Sequence, residues 1–268
     1  MKTTRIVFFI AAYTCLQLST AAAQSTSALP DSLSGPVTEL PQEAQCINVV
    51  KLNLSPLTKL KLEGQYERVL SKSFSIALGG RISPYHNVSY ILTRNDNTRT
   101  LKTLKSYSLA ITPEFRWYLS SKKPAPQGFY IAAYCRYQQS SFKGSISYDT
   151  IDSNMAYIPK QMAVKGPYSG LGFGLMIGSQ WMLGKHITFD WFIAGGHYGP
   201  GKMHLEATSK ALNLSLSEQE SLLNNIYQID APLLHKITAD VASDHVIINS
   251  PFPLFGLRAA GFNIGYAF

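Results

Sequence analysis

Nine ionisable residues, Lys51, Lys61, Glu63, Glu67, Arg81, Glu114, Arg116, Arg136 and Asp190, sit in runs that alternate polar with apolar residues. That period places each of them on the polar face of a half-buried strand. If the strands close into a barrel with these faces inward, the charges meet across its interior. There they pair into a salt-bridged plug, since a buried ion is costly unless compensated, or they line a narrow channel. About eight strands leave an interior just filled by side chains, which favours the plug. Glu114 is expected to pair with Arg81, Arg116 or Arg136.

Other chemistry is thinly represented. Five of the six histidines, His86, His197, His204, His235 and His245, fall in or beside the longest polar segments. A rim-site enzyme acting on lipid, a hydrolase or an acyltransferase, needs such a histidine within reach of a serine or an acid. His197 and His204 have no HExxH-like spacing, so no catalytic and no metal residue is assigned, and the chain reads as a non-enzyme. Cys46 and Cys135 lie in no CxxC or Cys/His cluster; Cys135 reads as a small hydrophobe on an apolar face. Gly170-x-Gly172-x-Gly174 lacks the strand–turn–helix context of a dinucleotide fingerprint, and no cofactor is expected. These glycines are expected to leave room on an inner wall for Tyr130, Tyr134 and Phe192. The net charge of +8 is scattered rather than gathered into a stripe, which argues against nucleic acid. It suits anionic lipid headgroups or a surface polysaccharide.

The elements that must position these residues begin after an export-type leader. Lys2 and Arg5, the apolar run Ile6 to Leu18 and Ala21-Ala22-Ala23 predict a signal peptide over residues 1–23. Residues 24–46, with Pro30, Pro36 and Pro41, read as a flexible leader. From 47 to 268 the pattern predicts eight strands, near 47–54, 60–67, 74–81, 107–119, 129–138, 171–181, 187–194 and 255–268. Pro113 inside the fourth predicts a bulge. Ser83 to Lys105, Ser140 to Pro167 and Gly199 to Pro253 are expected as long polar loops. The last of them holds a short helix over Ser217 to Tyr227, opened by a Ser217…Glu220 capping box.

Connections that alternate short and long suggest that all the long loops lie at one end, as in a bacterial outer-membrane barrel. On that reading the apolar faces look into lipid and carry Phe115, Trp117, Phe129, Phe173, Trp181, Phe189, Trp191, Phe262, Tyr266 and Phe268. The final strand ends on Phe268, as closing strands of such barrels often do. Lys51-Leu52-Asn53-Leu54, Gln65 to Leu70, Leu78-Gly79-Gly80-Arg81, Pro113 to Tyr118 and Gly261 to Phe268 together resemble a family of small, uncharacterised outer-membrane β-barrel proteins of Gram-negative bacteria, similar to OmpA/OmpX-type barrels. The resemblance implies an all-β, eight-stranded up-and-down transmembrane barrel, handled at its closing strand by the barrel-assembly machinery. The expected role is structural or surface-interacting, with a polar plugged lumen and external loops meeting a surface protein or polysaccharide. A rim-site lipid-modifying enzyme and a narrow channel are the alternatives.

Overall fold

The computed structural model describes residues 47–55, 61–87, 104–120, 123–151, 157–208, 213–227 and 237–268. The expected signal peptide, the expected leader with Cys46, and His235 lie outside the described residues. Strands β1 (Asn48–Asn53), β2 (Leu62–Val69), β3 (Phe74–Asn87), β4 (Lys105–Tyr118), β5 (Gly128–Ile151), β6 (Tyr157–Leu183) and β7 (Ile187–Gly199) each pair antiparallel with the next. A last long strand, Leu254–Ala267, pairs with β7 on one side and β1 on the other, which closes an all-β barrel of eight strands. Within the barrel wall, closure leaves these strands no free edge. Leu70–Phe74 and the Gly184 turn, where φ is +75°, make the tight connections at one end.

The segment between β7 and the closing strand is not one loop. Strand β8 (Gly201–Thr208) follows β7 after Pro200 and continues along β6, with Tyr168 opposite Met203. Helix α1 (Leu216–Tyr227) comes next, then β9 (Thr238–Val241), β10 (His245–Pro251) and the closing strand β11 (Leu254–Ala267). Strand β10 lies between β8 and β9. Helix α1 touches β5 and β9, the two outer strands of this extension. Met162, Val164, Tyr168, Leu205, Leu222 and Ile248 belong to an apolar core there, separate from the barrel interior.

Four local expectations are corrected. Pro113 makes no bulge: Ile111 faces Tyr137 and Glu114 faces Tyr134 in one unbroken register. Proline lacks only the donor, so the ladder toward β5 skips Thr112 and Pro113 without slipping. Residues Ser140 to Ile151 and Tyr157 to Pro167 are no loop; they prolong the β5–β6 hairpin in continuous pairing. The Gly199–Pro253 segment carries three strands besides its helix. The capping box stands two residues earlier than expected: Ser215 N–H donates to Glu218 Oε2 at 2.9 Å, while Ser215 Oγ accepts from Glu218 N–H at 3.4 Å. Glu218 also holds Lys160 Nζ at 3.0 Å, tying the helix to β6. Ser215→Ala is therefore expected to cost about 1 kcal/mol of local helix stability. Faster amide hydrogen exchange confined to residues 216–220 is the measurement, and unchanged exchange there contradicts it.

A bulge does occur on β7. Ile177 faces Ala194 but Gly178 faces Phe192, which leaves Ile193 as the extra residue. Opposite it on β11, Ala260 has φ of 51° and drops out of the ladder. Ala259 and Ala260 both face outward, so Arg258 and Gly261 both face inward.

Candidate functional site

The alternation of each strand sorts its side chains into two populations. Trp117 is 48% and Phe173 62% exposed on the outer face, whereas Glu114 is 4% and Arg136 2% exposed within. The barrel is inside-out relative to a water-soluble one, with its ions in the middle.

The interior is organised around Asp190 on β7. Its Oδ2 accepts from Lys51 Nζ at 2.8 Å and Arg116 Nη1 at 2.9 Å, and its Oδ1 from the Tyr130 hydroxyl at 2.8 Å. Asn263 Nδ2 reaches Oδ2 at 3.2 Å. Glu67 lies beside it, paired with Lys51 and accepting from Tyr118 O–H at 2.7 Å and from Ser75. Gln180 Oε1 accepts from Lys51 at 2.6 Å. Arg116 spans the layer, with Nη2 on Glu114 at 2.8 Å and on Gln65 Oε1 at 2.8 Å, and its guanidinium 4.6 Å from the Tyr130 ring centre. The side chains of Lys51, Glu67, Arg116 and Asp190 have no exposed surface. Low dielectric makes each such contact strong and each omission expensive.

A second layer lies toward the β8–β10 extension. Glu114 Oε1 accepts from Arg258 Nη1 at 2.6 Å, and Glu63 accepts from Arg81 Nε at 2.7 Å. Arg258 Nη2 is 3.5 Å from Glu63 and its guanidinium lies over Tyr134 and Phe192. Arg136 contacts Thr112 Oγ1 at 3.3 Å. Of the nine ionisable residues singled out, seven join through ion pairs: Lys51, Glu63, Glu67, Arg81, Glu114, Arg116 and Asp190. Arg136 is inward but in no ion pair among the described residues, and Lys61 is half-buried just ahead of β2. Glu114 takes Arg116 as one partner; its other is Arg258, which a strict period of two back from Phe262 places outward.

The glycines serve the arrangement. A Cβ on Gly174 would lie 2.7 Å from Tyr134 Cζ, one on Gly178 2.5 Å from Tyr130, and one on Gly261 would enter the Phe192 ring. Bare backbone at these points is what lets the tyrosines reach across to the ions.

Outside, the aromatics form runs across strands. Phe74 stacks on Phe115 at 5.5 Å and on Trp117 at 6.4 Å; Trp181, Phe189, Phe262 and Trp191 stack in sequence at 5.5–6.2 Å, and Tyr266 stacks on Phe268 at 6.4 Å. Phe129 and Phe173 are exposed on the same face. Among the described residues the histidines do not assemble. His197 meets the Tyr134 hydroxyl at 3.2 Å inside the barrel, His204 meets Asn249 at 2.7 Å, and His245 meets Asp244 at 2.7 Å. Among the described residues no group of His, Cys, Asp and Glu could hold a metal ion.

A family model described as a protein of unknown function (DUF3575) matches residues 37–212. The chain belongs to this family. Neither the curated proteins nor the solved structures contain a match. The DUF3575 match runs from ahead of β1 to just past β8 and so includes the strands that carry Lys51, Glu67, Glu114, Arg116 and Asp190. Helix α1 and the closing strand, with Arg258 and Asn263, lie beyond the residues matched.

Proposed function

We propose that this DUF3575 protein is a transmembrane barrel of the outer membrane of a Gram-negative bacterium, closed by an ionic plug, with a structural or surface-interaction role. The observation that carries this reading is the outward apolar face. Leu78, Ile111, Phe115, Leu175, Leu257 and Ile264 are all 43–90% exposed around a closed barrel. Water makes such a surface an aggregation hazard, whereas hydrocarbon is its natural solvent. The height fits as well. Tyr107 and Trp117 lie ten residues apart on β4, which at about 3.3 Å per residue and a tilt of about 40° is roughly 25 Å, the apolar band of such barrels.

The role rests on the plug and the extension. A conducting lumen needs water beside its charges, and the hub around Asp190 has no accessible side-chain surface, which supports a closed interior over a channel. The β8–β10 extension with α1 has its own apolar core, so it can present a fixed surface beyond the barrel. A surface protein or polysaccharide is the expected partner class. His197, His204 and His245 hydrogen-bond to Tyr134, Asn249 and Asp244 and to no serine among the described residues, which lends no support to a lipid-modifying site at the rim.

Two measurements on cells test this. The protein is expected in the outer-membrane fraction, migrating faster on unboiled than on boiled gels. Protease added to intact cells is expected to cut between residues 209 and 236. Recovery as a soluble periplasmic protein without heat-dependent migration contradicts the reading.

A further inference from the structure

Three lysines stand side by side on the outer face, just beyond the apolar band. Lys105 on β4 lies directly opposite Lys143 on β5, and Lys143 directly opposite Lys165 on β6. All three are exposed and share the outward parity of Leu109, Ile111 and Leu175 on their strands. Side chains paired in this way start about 5 Å apart, and like charges so placed repel. None of the three forms an ion pair among the described residues. The row ends at one carboxylate, the half-buried Glu206, opposite Lys165 on β8. Three cations against one carboxylate leave an excess of two positive charges along it.

The height of the row on the wall identifies what it meets. Lys105 is two residues beyond Tyr107 on the same face of β4, and Tyr107 marks one limit of the apolar band that runs down to Trp117. The Tyr85 ring centre is 5.6 Å from that of Tyr107, and Lys143 Nζ lies 5.1 Å from the Tyr85 centre. Tyrosines at such a level are the interfacial girdle of a lipid-facing wall. Cations one step past the girdle, directed sideways from the sheet, stand in the layer of the lipid headgroups. A soluble partner approaching from above would meet the β8–β10 extension first.

We propose that Lys105, Lys143 and Lys165 form a docking surface for a lipid whose headgroup carries a phosphate monoester, in the leaflet at the end where β5 and β6 extend. The inference rests on the transmembrane reading above. Lysine binds phosphate as a point charge, and neighbours about 5 Å apart at Cβ can both reach oxygens of one group. A phosphate monoester carries about 1.5–2 negative charges at neutral pH. That is close to the excess along the row, whereas a diester carries one. The bound headgroup thus relieves a repulsion that the sheet alone must bear.

The test titrates the full folded chain in detergent micelles with phosphatidic acid, a monoester, or phosphatidylglycerol, a diester, and counts bound lipid by native mass spectrometry at neutral pH. The wild type is expected to bind phosphatidic acid at least about tenfold more tightly than phosphatidylglycerol. Lys105→Gln, Lys143→Gln and Lys165→Gln combined are expected to abolish that preference. Lys143→Gln alone is expected to remove most of it, since Lys143 belongs to both pairs. Arg68→Gln, Lys72→Gln and Lys123→Gln combined take as much charge from exposed positions at the opposite end, and are expected to leave the preference as in the wild type. Heat-dependent migration shows that each protein is folded. A wild type that migrates so but shows no preference overturns this inference and leaves the transmembrane reading standing; one that does not overturns both. Four further results overturn the inference alone: a preference kept by the row variant, a preference lost equally by the opposite-end variant, glycerol 3-phosphate bound as tightly as the lipid, or soluble alginate bound in place of lipid.

Discussion

Asp190→Asn is expected to destabilise the folded barrel by about 3–5 kcal/mol, the usual consequence of removing one partner from a buried ion pair. The substitution conserves shape, so the loss is electrostatic. Lys51 and Arg116 each donate to Asp190 Oδ2, at 2.8 and 2.9 Å, with side chains that have no exposed surface. After the change both cations depend on Glu67 and Glu114, and Glu114 is already committed to Arg258 at 2.6 Å. Tyr130 keeps a hydrogen-bonding partner in the asparagine, so its ring stays beneath Arg116.

The size of the effect comes from the uncompensated charge and not from any net value of the pair. Lys51→Met combined with Asp190→Asn is therefore expected to recover at least about half of the loss, because it removes the excess cation together with the anion. Arg81→Gln provides the contrast. Its side chain is 27% exposed, and water replaces Glu63 well enough to hold the cost near 1 kcal/mol or below. Urea unfolding of the refolded barrel in lipid vesicles measures all four proteins. A double variant no better than Asp190→Asn alone contradicts the account.

What the sequence makes legible divides along the barrel wall. Within the wall every strand has one apolar and one polar face, so period two alone locates β1 to β7 and β11. The ionic residues follow from the same parity, as do Tyr118 and Gln180, which share it with Arg116 and Gly178 but carry no charge to draw the eye. Beyond the wall the signal fades. Ser140, Ser141, Lys143, Lys160, Gln161 and Lys165 are polar on both faces of the extended hairpin, and their pairing is held by backbone hydrogen bonds and by Met162 and Val164 from one side. Such a stretch has the composition of a loop and the geometry of a sheet. Arg258 is hidden for another reason. The outward pair Ala259 and Ala260 shifts parity once, and alanine marks no bulge in a sequence as glycine or proline does. Ser215 is missed because two overlapping Ser-x-x-Glu frames exist, and only the earlier one precedes the first turn.

The glycines of the inner wall lead to the second large effect, and they separate into two kinds. At Gly178 an added Cβ lies 2.5 Å from the Tyr130 ring and 2.8 Å from the backbone oxygen of Trp191. At Gly261 its nearest atoms all belong to the Phe192 ring. Overpacking of this sort costs about 1–3 kcal/mol where a side chain can yield, and more where it cannot. Gly261→Ala is expected in that range, and Phe192→Leu is expected to restore most of it, since a smaller, flexible side chain vacates the position. Gly178→Ala is expected to exceed the range. Moving Tyr130 withdraws its hydroxyl from Asp190 Oδ1, 2.8 Å away, and the strand carrying Trp191 must shift as well. Tyr130→Phe removes only the hydroxyl and leaves both the ring and the backbone contact in place, so it is expected not to rescue Gly178→Ala. The fraction refolded into vesicles and its urea midpoint decide between the two kinds. Equal rescue at both sites would show that the β7 backbone gives way more easily than its bulge at Ile193 implies.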